Sequence, residues 1–389
     1  MTRVLTFLHS FEPGGVERDA LRLAADWERR GLDVKVVLGR REGALGVEAP
    51  ALDYEVLQRG QRSTAAFETL FMIARLPAVV RRWRPDVIFC AGNTYTIVAV
   101  MLRLLLGAAC PPIVLKISND LERRDLPWVA RKAFHLWLRV QARAFARIVA
   151  MTDAALAEAR VRMAPAADRM VMIWNASLTD ADFRRFGAAR DAAALERARR
   201  KGRLYLSIGR LVRQKNQALM IDAFARIARP DDQLVILGEG PYRARLEAQV
   251  KRLGLSEQVR MPGHSQALAE ALAAADAFLL PSYYEGLGVV VVEALAAGVP
   301  VVATHSCVSM PALVGGGGMV APNGDVEAFA RGMEWACHIR PDVATMRERA
   351  SRFTVEATSG AWLRLLAEVA CERRRAPGAA GRQPIEYPA

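Results

Sequence analysis

Residues 277–303 read AFLLPSYYEGLGVVVVEALAAGVPVVA, and this stretch decides the fold class of the chain. A short apolar run, Ala277–Leu280, leads into a turn that contains two glycines. An apolar helical stretch with a single carboxylate, Glu293, follows the turn and ends at Gly298. A second apolar run, Val299–Ala303, begins directly after that glycine. Two apolar runs joined by a helix predict parallel β-strands, because parallel strands need a crossover connection between them.

The same alternation of apolar runs and helical stretches continues through the rest of the chain. The other predicted strands are Val4–His9, Val34–Leu38, Asp86–Cys90, Ile113–Ile117, Ile148–Met151, Met170–Trp174, Leu204–Gly209, Gln233–Leu237 and Val259–Met261. This pattern predicts an α/β fold with helices on both faces of a parallel sheet. Because 389 residues exceed the usual size of one domain, we expect two Rossmann-like, doubly wound domains, residues 1–176 and 177–355.

Two further stretches have a composition of their own. The Ala/Arg-rich residues 178–201 are expected to form a linker and a surface helix. The tail, residues 372–389, contains three consecutive arginines and several Gly, Ala and Pro residues, and is expected to be flexible.

The composition limits the possible function classes. The formal net charge of +13 favours anionic partners such as nucleotide phosphates, nucleic acids or acidic lipids. The five cysteines are scattered and form no CxxC pair, so neither a disulfide framework nor a zinc site is expected. No secretory signal and no membrane-spanning run is recognised, which predicts a cytoplasmic protein, with peripheral attachment to the inner face of the membrane left open.

A basic loop after one predicted strand favours phosphate binding. Gly209 and Arg210 follow the run Leu204–Ile208, and Lys215 lies five residues beyond Arg210. Two cations beside a helix start could clamp a diphosphate, because Arg supplies a planar fork and Lys a point charge. The alternative is an ordinary solvated basic loop.

The turn in residues 277–303 also carries two carboxylates, Glu285 and Glu293, eight positions apart. Gly286 and Gly288 allow a ligand to approach the backbone closely. Glu285 could accept hydrogen bonds from sugar hydroxyls, and Glu293 could bind the vicinal diol of a ribose. The alternative for Glu293 is a buried structural pair with a base, since a buried charge is costly unless it is paired.

A third turn, Gly14-Gly15, lies between a predicted strand and a predicted helix, where free N–H groups at a helix start favour phosphate. By itself this signal is weak, and a purely structural turn is the alternative.

The sequence resembles the family 4 glycosyltransferases of the GT-B class. The stretches that carry the resemblance are Gly14-Gly15-Val16-Glu17, Ser207–Asn216, Leu237–Pro241 and Glu285–Glu293 with the following Gly298-Val299-Pro300. The resemblance implies two domains facing a cleft, with a helix at about 356–371 packing back on the first domain. It also implies a retaining, metal-independent transfer from a nucleotide sugar, which is a co-substrate, so no cofactor is expected.

The resemblance assigns roles to individual residues. Arg210 and Lys215 would hold the donor diphosphate, Glu285 would orient the donor sugar, and Glu293 would hold the ribose. The remaining expected donor-binding residues are Gly14, Gly15, Gly209, Gly238, Gly240, His264, Gly286, Leu287, Gly288 and Val289. Many relatives carry a histidine in the N-terminal domain where this chain has Asn119, so Asn119 is expected to act through hydrogen bonds rather than as a proton shuttle.

A basic aromatic stretch suggests what the acceptor is. Residues Trp128–Arg147 contain five Lys or Arg side chains, several aromatic residues and no acid. A basic amphipathic helix can lie on an anionic membrane, which would suit a polyprenyl-linked acceptor. The alternative is a core-facing helix with a solvated basic side.

These patterns together favour a hexosyltransferase that uses a UDP- or GDP-sugar and acts on a glycan or lipid-linked sugar in bacterial surface polysaccharide or lipopolysaccharide assembly. A nucleotide-sugar epimerase of similar fold remains an alternative. A basic, non-catalytic nucleotide- or nucleic-acid-binding protein is another, although no nucleic acid is expected as a partner because no recognised module is present.

Overall fold

The computed structural model describes residues 1–12, 14–47, 49–58, 67–123, 126–339 and 341–375. The chain forms two compact units. The first contains Met1–Asn119, Lys132–Asn175 and the chain from Thr358 onward, and the second contains Asp120–Arg131 and Ala176–Ala357.

The first unit is built on a parallel sheet of seven described strands in the order β3-β2-β1-β4-β5-β6-β7. The strands are β1 Arg3–Leu8, β2 Asp33–Leu38, β3 Asp53–Val56, β4 Val87–Cys90, β5 Ile113–Lys116, β6 Arg147–Ala150 and β7 Met170–Met172. The central strands are buried on both faces, which is why their sequences are nearly continuous apolar runs.

Helices cover both faces of this sheet: α1 Gly15–Arg29, α2 Glu68–Trp83, α3 Thr96–Leu106, α4 Trp128–Ala142, α5 Asp153–Arg162 and, at the end of the described chain, α15 Val355–Arg375. Gly31, with φ +90°, lies just beyond the end of α1. Trp362 of α15 is buried against Trp27 of α1 and Phe89 of β4, with ring centroids 5.7 and 5.3 Å apart. The last helix therefore belongs to the hydrophobic core of the first unit.

The second unit has a parallel sheet of six described strands in the order β10-β9-β8-β11-β12-β13. The strands are β8 Leu204–Ile208, β9 Gln233–Leu237, β10 Val259–Gly263, β11 Ala277–Leu280, β12 Val301–Thr304 and β13 Gly318–Ala321. Its helices are α6 Asp180–Ala192, α7 Ala194–Arg199, α8 Gln217–Ile227, α9 Arg243–Arg252, α10 Leu268–Ala274, α11 Val289–Ala297, α12 Met310–Val314, α13 Val326–His338 and α14 Val343–Ser351. The expected fold of two parallel-sheet α/β domains is confirmed.

Some elements differ from the sequence-based expectation. The strands β3 and β13 lie outside the predicted runs, and both are edge strands. β3 reads DYEV and contains two acids, and β13 reads GMVA, a short run that directly follows three glycines. Residues 178–201 form two consecutive helices, α6 and α7, rather than a linker and one helix, and α6 packs on α10 and α11. Helix α15 includes residues 372–375, which were expected in the flexible tail; residues 376–389 lie outside the described residues.

None of the helices in the described ranges combines the length and the apolar character that crossing a bilayer requires.

Candidate active site

The loops at the carboxyl ends of β8, β9 and β10 are joined by backbone hydrogen bonds. Gly209 N–H donates to the Leu237 carbonyl at 2.9 Å, and Gly238 N–H donates to the Gly263 carbonyl at 2.8 Å. A Cβ atom at Gly238, whose φ is +141°, would lie 2.1 Å from the Gly209 carbonyl oxygen. These glycines therefore allow the three loops to pack into one continuous edge, where open α/β sheets usually bind their ligands.

An ion pair forms the centre of this edge. Lys215 Nζ lies 2.6 Å from Glu285 Oε1, and the Ser282 hydroxyl donates to the same oxygen at 2.6 Å. Glu285 is buried, and its backbone N–H donates to the Ser306 carbonyl at 2.9 Å. Two of the predicted catalytic residues, from the loops after β8 and β11, are thus held in direct contact.

Arg210 lies in the same loop as Lys215 but is exposed. Within the described chain, its guanidinium makes no hydrogen bond and no ion pair, although its carbonyl accepts from the Gln217 side chain at 2.9 Å. A fixed backbone with an unengaged guanidinium is suited to an anionic ligand.

The other predicted donor residues of this unit surround the pair. Gly288 adopts φ +84° at the N-cap of α11, so the chain turns sharply from Leu287 into Val289, the first residue of the helix. Glu293 lies one turn further and is buried. Gly286 is half-buried in the same loop.

The loop after β9 and the turn after β10 form the other end of this edge. Gly240 has φ +159°, and a Cβ there would lie 2.4 Å from the Leu211 carbonyl oxygen. The hydrogen bond from Arg243 holds the pKa of Glu239 in this loop below its usual range, and His264, which is exposed, acts in the same direction.

In the first unit, Gly14 is the N-cap of α1 and Gly15 is its first residue. A Cβ at Gly14 would lie 2.0 Å from Glu17 Oε2, and Glu17 Oε1 accepts a 2.5 Å hydrogen bond from the Tyr95 hydroxyl. Asn119 N–H donates to Asn93 Oδ1 at 3.2 Å. Asn93 was not predicted from the sequence, although its side chain fixes the backbone of the loop that carries Asn119.

Two family models match the chain: the Glycosyl transferase 4-like domain over residues 14–176 and Glycosyl transferases group 1 over residues 192–353. Together they span most of its length. The chain belongs to the family 4 glycosyltransferases of the GT-B class.

Curated relatives match parts of the glycosyltransferase chain. The lipopolysaccharide core biosynthesis glycosyltransferase LpsE of Rhizobium meliloti is 35% identical over 168 residues, which are 42% of this chain and 49% of the relative. The N-acetylgalactosamine-N,N'-diacetylbacillosaminyl-diphospho-undecaprenol 4-alpha-N-acetylgalactosaminyltransferase of Campylobacter jejuni is 40% identical over 111 residues, 28% of this chain and 30% of the relative. The chain therefore spans half the length or less of these relatives.

The crystal structure of Anabaena HepE in complex with UDP and glucose matches with a TM-score of 0.74 at 21% identity, and the match covers 95% of this chain and 100% of that one. At this identity the likeness shows the shared fold.

The glycosyltransferase contains an Asp-x-Asp pair, Asp180 and Asp182. Asp182 closes a capping box with Thr179 at the start of α6, and the Asp180 N–H donates to Glu356 at 3.0 Å. These contacts give the pair a role at the helix start.

Three residues near the ion pair were not predicted as site residues. Ser282 bonds Glu285 directly, and the Gln214 side chain donates to the Tyr284 carbonyl at 2.9 Å, which ties the two loops together. The Arg123 guanidinium lies over the Tyr284 ring, 5.4 Å from its centroid. Arg123 could not be recognised from the sequence, because only the fold brings it to Tyr284.

Proposed function

We propose that the chain is a retaining hexosyltransferase that uses a UDP- or GDP-sugar and needs neither a metal ion nor a cofactor. Its acceptor is a glycan or a lipid-linked sugar in surface polysaccharide or lipopolysaccharide assembly. The observation that supports the donor site best is the Lys215–Glu285 ion pair beside the unengaged Arg210, at the carboxyl edge of the second sheet.

This edge offers each part of a nucleotide sugar a matching group. Negative charge develops on the nucleoside diphosphate as it leaves, and Arg210 and Lys215 would stabilise it electrostatically. Glu285, positioned by Ser282 and Lys215, would accept hydrogen bonds from hydroxyls of the donor sugar. Glu293, on α11, would bind the ribose diol.

The acceptor proposal rests on the relatives and on a surface of the first unit. LpsE is named for lipopolysaccharide core biosynthesis, and the Campylobacter relative is named for a diphospho-undecaprenol substrate.

Right-handed crossovers from β4 to β5 and from β5 to β6 place α3 and α4 on the same face of the first sheet.

The outer sides of α3 and α4 form a basic–apolar surface. Its apolar members have relative exposures between 46% and 69%, and its cations, including Arg143 directly after α4, are exposed as well: Ile97, Leu104, Leu105, Leu136, Val140, Lys132, Arg139 and Arg143. Neither helix contains an Asp or a Glu. Such a surface suits the interface of an anionic bilayer, where each nearby Lys or Arg contributes about 1 kcal/mol.

The donor site is tested by thermal unfolding with a panel of nucleoside diphosphates and nucleotide sugars in the presence of EDTA. A ligand at 100 times its Kd should add about 2.7 kcal/mol to the free energy of unfolding. Arg210→Gln should leave the unfolding temperature without ligand unchanged and remove the ligand-dependent shift. Arg252→Gln, at an exposed position of α9, is the matched control and should keep the shift. A full shift in Arg210→Gln would refute the proposed clamp.

The membrane surface is tested by co-sedimentation with phosphatidylglycerol vesicles. Replacing Arg139 and Arg143 with Gln should weaken binding at least tenfold, since two basic residues near the surface contribute about 2 kcal/mol. Replacing Lys251 and Arg252 with Gln removes two exposed cations from the other unit and should have little effect. Equal binding by both double variants would refute this surface.

A further inference from the structure

A second basic site lies in the glycosyltransferase's second unit. A surface pocket of about 310 Å³ is lined by Arg190, Arg197, Arg200, Lys201, Arg203 and Asp276, among others. Among the described residues that line it, Asp276 is the single acid, against five cations. A volume of this size is at the lower end of the range for small-molecule sites.

The pocket is remote from the proposed donor edge. Arg203, Asp276 and Pro300 directly precede β8, β11 and β12, so the pocket lies at the amino ends of these strands. Lys215 and Glu285 follow the carboxyl ends of the same sheet. A strand of five residues separates the two ends by about 16 Å.

Three of the arginines are positioned by carbonyl groups. Arg190 Nη1 donates to the Ala273 carbonyl at 2.9 Å, and Arg197 Nη1 donates to the same carbonyl at 3.0 Å. Arg200 Nη1 donates to the Ala274 carbonyl at 2.9 Å. Arg200 also forms an ion pair with Asp276, so one positive charge of the pocket is compensated within its lining. The carbonyl groups orient the guanidinium groups but carry no formal charge, which leaves the other four cations without an acid of the lining to pair with.

The electrostatic cost of this arrangement is visible at Arg190. Burial, reinforced by the charges of Arg197, Arg200 and Arg347 and opposed by that of Asp276, lowers its pKa from the usual arginine range to about 10. Arg347 itself is paired with Asp191 at 3.2 Å. An anion in the pocket would relieve the remaining repulsion.

Two cations are available to contact such an anion. Lys201 is exposed and makes no hydrogen bond or ion pair within the described chain. Arg203 also lines the pocket; its Nη1 is buried beside the Tyr205 hydroxyl, and its Nη2 lies 3.1 Å from His338 Nε2.

We propose that this pocket binds the phosphate group of a small soluble ligand, independently of the donor edge, with Arg203 and Lys201 contacting the phosphate oxygens. Phosphate fits because a terminal phosphate group carries a charge of about −1.5 to −2 at pH 7 and matches the planar fork of Arg. The concave pocket with partly buried arginines suits a small ligand better than an extended polyanion or a bilayer.

The test is calorimetric titration of the full chain with inorganic phosphate and pyrophosphate at constant ionic strength. The parent protein carries Arg210→Gln, so that the donor edge does not contribute. Adding Lys201→Gln and Arg203→Gln should weaken phosphate binding at least tenfold, whereas adding Arg199→Gln, an exposed arginine outside the pocket, should change it less than twofold. Thermal unfolding without phosphate checks that each variant is folded, and Lys201→Glu alone, at an exposed position, should also weaken binding.

Three results would overturn the proposal. The Arg210→Gln parent could fail to bind phosphate, which would mean that all phosphate binding by the chain occurs at the donor edge. The affinity could stay the same in both the double variant and Lys201→Glu. The double variant could weaken the binding of duplex DNA or of phosphatidic acid vesicles as much as it weakens the binding of phosphate. The ligand would then be a macromolecule or a bilayer.

Discussion

A buried ion pair in the first unit joins α1 to β5. Asp19 Oδ2 and Lys116 Nζ lie 2.9 Å apart, with side chains 6% and 3% exposed. Removing one partner leaves the other charge buried without compensation, so Asp19→Asn should reduce the free energy of unfolding by about 3–5 kcal/mol. Adding Lys116→Met to that variant should restore much of the loss, because both charges are then gone.

Denaturant unfolding measures both variants. The control is Glu270→Gln, which breaks the pair with Arg185, whose side chains are 58% and 60% exposed, and should cost less than about 1 kcal/mol. A loss in Asp19→Asn no larger than in this control would contradict the prediction.

His9 links the pH to the stability of the same unit. Its Nδ1 lies 3.8 Å from Glu68 Oε2, and burial lowers its pKa below the ordinary 6.5 despite the opposing effects of Glu68 and Glu17. The unfolded state therefore binds a proton more tightly than the folded state, so stability falls as the pH drops below 6.5.

Replacing the residue, as in His9→Asn, should make the stability of the first unit depend less on pH in this window. Urea unfolding at several pH values between 5 and 8, spanning about the range in which His titrates, gives the comparison. His264→Asn, at an exposed position, is the control and should keep the wild-type dependence. A steeper slope in His9→Asn than in the wild type would show that the sign is wrong.

At the scale of elements, helix α11 ends at a glycine that packing and backbone both require. Gly298 has φ +73°, and a Cβ there would lie 2.7 Å from Val343 Cγ1 of α14. Gly254 has nearly the same φ, +72°, but nothing lies within 4 Å of its Cβ position. The left-handed conformation costs either alanine variant about 1–2 kcal/mol, and the clash should add about 1–3 kcal/mol at Gly298→Ala alone.

Unfolding free energies of the two alanine variants separate backbone strain from packing. Equal losses at Gly298→Ala and Gly254→Ala would mean that α14 shifts away without cost.

The central strands were predictable from the sequence, whereas two of the four edge strands of the described sheets, β3 and β13, were not. Runs such as Ile148–Met151 and Ala277–Leu280 predict strands because burial on both faces demands apolar side chains throughout. The edge strand β3, with Asp53 and Glu55, lacks that signal.

The candidate site shows the same division. Lys215 and Glu285 were predicted from their motifs, and the structure places them in contact. Asn93 and Arg123 were not predicted, because each is singled out by a contact with a residue far along the chain, which no spacing reveals. Ser282 was not predicted either, because only the conformation of its loop turns its hydroxyl toward Glu285 three residues later. The structure is also needed to say which cations of α4 are exposed, because the sequence left open which side of the helix is buried.

At the scale of the whole molecule, the chain completes its first unit with its last described helix. Trp362 is 1% exposed between Trp27 and Phe89, although more than 250 residues separate it from either. Trp362→Ala should cost about 3–5 kcal/mol, because a large buried side chain is lost and a cavity is left behind. The loss should be confined to the first unit, since the contacts of Trp362 with these two rings all lie within it.

Hydrogen exchange resolved by segment measures where that loss falls. In Trp362→Ala, exchange should rise in β1 and β4 and stay unchanged in β8 and β11, because opening of the first sheet does not require opening of the second. Trp335→Ala, at a tryptophan that is 38% exposed on α13, should show the reverse preference and a smaller effect. If exchange rose equally in both sheets of Trp362→Ala, the two units would unfold as one cooperative body, and α15 would stabilise the whole chain rather than the first unit alone.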